Sequence, residues 1–303
     1  MGTRYSAVFF AMAGVDEAAI ASDLFAAVDR VDQQMSSWKP ESNLSRLNRA
    51  PEGQWHAVPQ ELLCVLETAL RVGEESRGAF DIGVGDLVNA WGFGATHQQP
   101  DKQQILELKE KTYRPATELI EVDCQHNRVL KRAAVTLDLS GIAKGYGVDQ
   151  LARCLDGFGI ESYLVGIDGE MRAGSLKPDG RAWAIAIEKP VRGVREVMSV
   201  IEIHDCAIAT SGDYRRWTEL EGEHHAHTMN PLLGWPACNQ LAAVTVLASS
   251  CMVADAWASA LLVLGENAGA ELAQERDMEA LLVLHDGEEF RQIYIVEGKC
   301  QAS

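Results

Sequence analysis

Three clusters in the chain combine residue types and spacings that could do chemistry. In Asp138-Leu-Ser-Gly-Ile-Ala-Lys144-Gly, the alternation of Val135, Leu137 and Leu139 predicts a strand that delivers Asp138 and Ser140 to a turn. Ile142, Val148, Leu151 and Leu155 fall at helical spacing and predict a helix directly after it. The N–H groups and dipole at such a helix start suit a phosphate, and Lys144 would add positive charge where a pyrophosphate sits. The plainer reading is an ordinary turn, with Ser140 capping the helix and Lys144 in solvent. It is not a Walker loop, because GxxxxGK[ST] is absent.

The second cluster, Ala254-Asp255-Ala256-Trp257-Ala258-Ser259, puts a carboxylate and a hydroxyl four residues apart, on one face of a helix. Both are hard oxygen ligands that fit Mg²⁺, an ion that also takes phosphate oxygens. Their setting is almost wholly apolar, where an uncompensated Asp255 would be costly. An Asp255 that merely caps its own helix would explain the same residues, and both readings stand open at this point. The third cluster is His224-His225-Ala-His227-Thr-Met-Asn230-Pro231. It lacks the i,i+4 spacing of helical zinc pairs and any Cys or Glu companion. His224 and His225 follow Glu-Gly-Glu and read as a solvated loop tip; His227 is either an ordered site residue or a strand-end histidine.

These side chains need elements to hold them. Residues 16–35 carry Ile20, Leu24, Ala27, Val28 and Val31 at helical spacing. The following stretch, with Pro40, Ser42, Asn43 and Pro51, reads as a loop. Pro59 opens a second helix through Leu62, Leu66, Ala69 and Leu70, which Gly78 closes. GAFDIGVGDLVNAWGFG is too rich in glycine for a regular element, and a polar helix is expected over 105–111. Strands are expected at 4–10, IEVD, RVLKR, YLVGI, WAIAIE, MSVIEI, AAVTVLA, EALLVLHD and FRQIYIV, with a helix over 252–264 stopped by Gly265. Strands and helices mix without strict alternation, which makes α+β the expected class. No linker or repeat divides the chain, so residues 1–303 are expected to form one functional unit.

The net charge of −17 argues against nucleic acid as a partner and leaves an anionic ligand in need of local positive charge. No apolar run approaches the length that spans a bilayer. Seven scattered cysteines without a CxxC pair form neither a disulfide framework nor a zinc site; Cys154 and Cys251 read as buried thiols in apolar helices. The opening MGTRYSAVFFAMAG, with its Ala11-Met12-Ala13, is too short for a signal peptide and reads as a strand. As it stands the chain reads as cytoplasmic; a trimmed leader would put it in the periplasm, anchored at the inner membrane.

Together the clusters resemble the ApbE family of FAD:protein FMN transferases. MGTRYS, MSSW with ESNLSRLN, GAFDIGVGDLVNAWGFG, LDLSGIAKGYGVD, ATSGDYRRW, AHTMNPLLGWP and VADAWASAL are similar to the family's blocks and stand in its order, from residue 1 to about 265. The resemblance implies a T-fold-related, two-lobed α+β arrangement of mainly antiparallel sheets with the cofactor in the cleft. It implies Mg²⁺ held by Asp255, Ser259 and the carbonyl of Gly141. It implies FAD contacts at Trp38, Ala79, Phe80, Asp81, Asp138, Lys144 and Met229, with His227 near the flavin phosphates in a proton-handling role. The implied activity splits FAD, attaches FMN to a threonine of a target flavoprotein with an Asp/Ser-Gly-Ala-Thr-like motif, and releases AMP. Such targets are redox-pump or reductase subunits. An FAD pyrophosphatase and a non-enzymatic FAD-binding protein are the alternatives. Ser259 stands where the family commonly has Thr and keeps the hydroxyl ligand; Leu233 stands where Thr is common and Gly85 where Pro is common, both loop changes, and Gly147 where Ala is common, at some cost in helix stability.

Overall fold

A computed structural model of the chain describes residues 2–12, 14–95, 99–287 and 289–302; Met1 of the opening block and Ala13 of the Ala-Met-Ala triplet lie outside them. Its central feature is an eight-stranded sheet of β1 (Tyr5–Phe9), β2 (Tyr163–Ile167), β3 (Glu170–Ala173), β4 (Cys206–Gly212), β5 (Leu241–Ala248), β6 (Glu279–Asp286), β7 (Glu289–Val296) and β8 (Lys299–Ala302). Spatial order follows chain order, and every neighbouring pair is antiparallel.

Five longer helices pack with it: α1 (Glu17–Met35), α2 (Gln60–Glu75), α3 (Ala143–Gly157), α4 (Cys251–Leu264) and α5 (Glu266–Glu275). α1 starts where the Asp16 carboxylate accepts the N–H groups of Ala18 and Ala19, and buries Ile20, Leu24, Ala27, Val31 and Met35. The central strands are covered on both faces. Ala280, Leu282 and Leu284 of β6 join the core that α2 and α4 also line, while Leu281 and Val283 pack with Trp183, Ile185 and Ile187 of a separate hairpin. Burial on both faces is why β5 and β6 read as unbroken apolar runs instead of alternating ones.

The α+β class with antiparallel sheets is as expected, and most strands fall where their sequence placed them. Four local readings need correction. The 36–51 stretch contains a short helix, Asn43–Arg49, because Ser42 caps it by accepting the Ser45 N–H at 3.0 Å. The glycine-rich stretch contains a 3₁₀ turn, Ile82–Val84, and a helix, Gly85–Ala90. The run 133–139 buries Val135, Leu137 and Leu139 as its alternation requires, yet belongs to no sheet. Its backbone is engaged instead by the amide of Asn48, which accepts from Leu137 N and donates to Leu137 O, both at 2.9 Å. His224 and His225 are not a loop tip; they lie in the strand Glu223–Ala226, with the half-buried His225 ring 4.8 Å from Trp91.

Gly85 illustrates a departure that the local packing requires. Its N–H donates to Thr136 O at 3.0 Å, and a Cβ at this position would sit 2.5 Å from that same oxygen. Gly85→Ala should therefore cost about 2 kcal/mol, the scale of an overpacked site, read as a lower urea midpoint. Gly85→Pro should cost more, because it also removes the donor.

Candidate active site

The site forms where the N-termini of α3 and α4 meet. The chain enters α3 through the extended segment clamped by Asn48, with Asp138 N donating to Ile82 O at 2.8 Å. The Asp138 carboxylate then turns back on its own loop, accepting from Ser140 N at 2.9 Å and from the Ser140 hydroxyl. Ser140 therefore does not cap α3; Ile142 occupies the cap position and makes no side-chain cap bond.

The carboxylate that serves α3 comes from α4. Asp255, 3% exposed, accepts the Gly145 N–H on Oδ2 at 2.9 Å. The start of α4 is capped in return from α3. Asp149 accepts from Ser250 Oγ at 2.8 Å and from Cys251 N and Met252 N at 3.0 Å, with Arg172 donating to it at 2.6 Å. Each helix thus supplies the anion for the other's positive end, and the open question about Asp255 resolves against capping of its own helix.

One turn further along α4, Ser259 Oγ lies 3.0 Å from Ser211 Oγ of β4. Gly141 packs between this hydroxyl and Phe80: a Cβ on Gly141 would stand 3.1 Å from Ser259 Oγ and 3.2 Å from the Phe80 ring. Gly141, Asp255 and Ser259 are therefore gathered in one place. A buried carboxylate, a hydroxyl and a turn carbonyl form an all-oxygen donor set that fits Mg²⁺, and a carboxylate so desolvated calls for a cation. Among the described residues no group of three or more His, Cys, Asp or Glu side chains is arranged to hold a metal, so the three histidines are not such a site.

Burial pushes the Asp255 carboxyl up to about 7, opposed by Lys144 and aided by Glu170. The folded value stands above the ordinary 3.8, so the native state holds the extra proton and this group's contribution to stability falls as pH rises from about 4 to about 7. Without metal, the urea midpoint of Asp255→Asn should gain on that of the wild type across this window. A gap that stays constant with pH would contradict the burial argument.

Lys144 is not a solvated side chain. Its ammonium pairs with Glu170 at the start of β3, a carboxylate only 2% exposed. Glu170 escaped the sequence reading because β3 was not expected. The signal was present: Asp168-Gly169 between two apolar-containing runs is a two-residue hairpin turn, and Ile167 pairs with Glu170 across it. Asn48, Asp149 and Ser211 were likewise missed, since each acts through a contact with no local signature.

Of the remaining expected residues, Phe80 abuts Gly141 directly. Ala79 and Phe80 are buried. The Asp81 carboxylate accepts from Gly83 N at 2.7 Å, from Ala116 N at 3.2 Å and from the Tyr113 hydroxyl, so it ties the turn together; burial raises its pKa. Trp38 is 56% exposed on a loop whose Ser36 carbonyl accepts from Ser42 and Ser45, beside the helix that carries Asn48. Met229 is buried and pairs with Pro236, and Asn230 Oδ1 closes the next turn by accepting from Leu232 N at 3.0 Å. His227 donates its backbone N–H to Arg216 O at 3.2 Å, and its Nδ1 is sealed from solvent without a partner. Burial, then the charges of Arg216 and Lys144, lower its imidazole to about 4, so the ring is neutral near pH 7.

This architecture defines a class of α+β protein with solved members. The chain superposes on the flavin transferase ApbE from Vibrio cholerae with a TM-score of 0.86 at 35% identity, covering 97% of this chain and 94% of that one. The ApbE protein of Thermotoga maritima gives 0.81 at 26% identity, covering 95% and 96%. In sequence, the FAD:protein FMN transferase of Vibrio cholerae is 37% identical over 294 residues, 96% of this chain and 87% of the relative; that of Escherichia coli K12 is 32% identical over 296 residues, 96% and 84%. The ApbE family model matches residues 1–282. The chain belongs to the ApbE family.

Proposed function

We propose that the protein is a Mg²⁺-dependent FAD:protein FMN transferase. The observation that carries this reading is the gathering of Asp255, Ser259 and Gly141 at the N-terminus of α3, in a chain whose relatives are named for that activity. The Gly141 carbonyl, the Asp255 carboxylate and the Ser259 hydroxyl would hold Mg²⁺, which when bound supplies the positive charge that a cleaving pyrophosphate requires.

The chain's own residues do the rest. The start of α3 offers its dipole to the FAD phosphates, while its Ile142 and Ala143 N–H groups donate to Leu139 O and its Gly145 N–H to Asp255, and Lys144 adds a cation against the acidic field of the protein. Trp38, the 79–81 strip, Asp138 and Met229 surround FAD. The nucleophile is a threonine hydroxyl of the target, which explains why no Ser-His-Asp set is needed. Its oxygen forms a new bond to the FMN phosphorus as the bond to the AMP oxygen breaks. Neutral His227, with Nδ1 unpartnered, takes the threonine proton. The target is a flavoprotein, a redox-pump or reductase subunit, with an Asp/Ser-Gly-Ala-Thr-like motif.

The test is an intact-mass assay with FAD, Mg²⁺ and a domain bearing such a motif. The expected result is a target heavier by one esterified FMN, with AMP released and both effects abolished by EDTA. Release of FMN and AMP with several such targets left unmodified would instead make water the acceptor.

A further inference from the structure

Of the acidic groups that act on Lys144, Glu170 and Asp255 lead, and the structure gives its ammonium to the one outside the proposed ligand set. Glu170 is 2% exposed. One carboxylate oxygen accepts from Lys144, while the other, Oε2, is sealed from solvent without a partner. A half-satisfied buried carboxylate is unfavourable unless its charge serves something. The residue next to Lys144 is Gly145, whose N–H donates to Asp255 Oδ2 at 2.9 Å. Burial pulls the Lys144 ammonium down, but Glu170 first and Asp255 second push it up by more, so both carboxylates act on the same cation. A lysine seated on Asp255 would compete directly with a metal for that carboxylate.

We propose that Glu170 is a positioning residue that holds the Lys144 ammonium off Asp255 and so keeps the Asp255 carboxylate available to Mg²⁺. This rests on the Mg²⁺ site proposed above. With Asp255 ionised, Glu170, Asp255 and Lys144 together carry one net negative charge, which draws a divalent cation. Without Glu170 the remaining pair is neutral and self-satisfied. The hairpin turn at Asp168-Gly169 fixes Glu170 at the head of β3, and β3 packs on both α3 and α4, so the anchor is rigid.

The test titrates Mg²⁺ alone into the metal-stripped full chain by calorimetry, without FAD, alongside the melting temperature of each variant. Glu170→Gln keeps the side-chain shape and should weaken Mg²⁺ binding by about tenfold or more, the scale of losses on removing an outer partner of a metal ligand. The double variant Glu170→Gln with Lys144→Met should recover most of that loss, because the competitor is gone. Lys144→Met alone should bind Mg²⁺ at least as tightly as the wild type, which keeps the test open should the glutamine variant fail to fold. Unchanged Mg²⁺ affinity in Glu170→Gln, a double variant as weak as the single, or weaker binding by Lys144→Met would each overturn the proposal. A wild type that binds no Mg²⁺ would sink the metal reading itself; a wild type that binds while Glu170→Gln is unaffected sinks only the role of Glu170.

Discussion

Asp255→Asn should lose Mg²⁺-dependent FMN transfer by at least about 10³-fold, a barrier increase of ~4 kcal/mol, while the protein remains folded. The asparagine Oδ1 can still accept the Gly145 N–H that Oδ2 of Asp255 accepts at 2.9 Å, so the crossing of α3 and α4 keeps its hydrogen bond. What disappears is the buried negative charge, the only group of the proposed ligand set with a full charge for a divalent ion. Because burial makes that charge unfavourable in the metal-free protein, the variant should melt no lower than the wild type at pH 7.5 without metal. The two measurements, transfer rate with Mg²⁺ and melting temperature with EDTA, should move independently. Full activity in Asp255→Asn would eliminate the metal assignment.

Gly145→Ala is the second large effect, and it acts on the fold and the site together. A Cβ at residue 145 would lie 2.3 Å from the Cys251 carbonyl oxygen, 2.7 Å from the Cys251 carbonyl carbon and 2.8 Å from Asp255 Cβ. Two of these are backbone atoms of α4, so no rotamer change relieves them and the helices must part. The expected cost is about 3 kcal/mol, the upper part of the overpacking range. An alanine would normally favour a helix over glycine by roughly 0.8–1 kcal/mol, so the sign of the change separates close approach from propensity. Chemical denaturation measures the stability. FMN transfer at a temperature where the variant is folded should also be depressed, because separation of α3 from α4 draws Asp255 away from Gly145. A variant as stable as the wild type would show that the helices are not in contact there.

What could be read from the sequence follows a physical division. β5 and β6 were legible because burial on both faces selects long apolar runs, and α1 because one buried stripe selects helical spacing. The Asn43–Arg49 helix was hidden by Pro40 and Pro51, which flank it and speak for a loop, although Ser42 is a competent cap. The run before Asp138 looked like a strand because burial alternates along it, and alternation reports burial, not pairing. Its true partner is the side chain of Asn48, 89 residues away. Asp255 and Ser259 were singled out by their types and spacing, but which helix N-terminus the Asp255 carboxylate serves has no signature in its own segment. Only the contact between helices reveals that the terminus is that of α3. Lys144 was recognised as a cation, whereas its counter-ion Glu170 depended on a short strand that the Asp-Gly turn alone announced.

The exchange of carboxylates between α3 and α4 also sets a schedule for synthesis. Gly145 and Asp255 are separated by 110 residues, and Asp149 waits for Met252 across 103. At typical translation rates of about 5–20 residues per second, the start of α3 is synthesised roughly 5–20 s before its partner carboxylate exists. During that interval a nascent chain holds the turn and the lysine but lacks the acid that completes the site. The site is therefore complete only once α4 has been made.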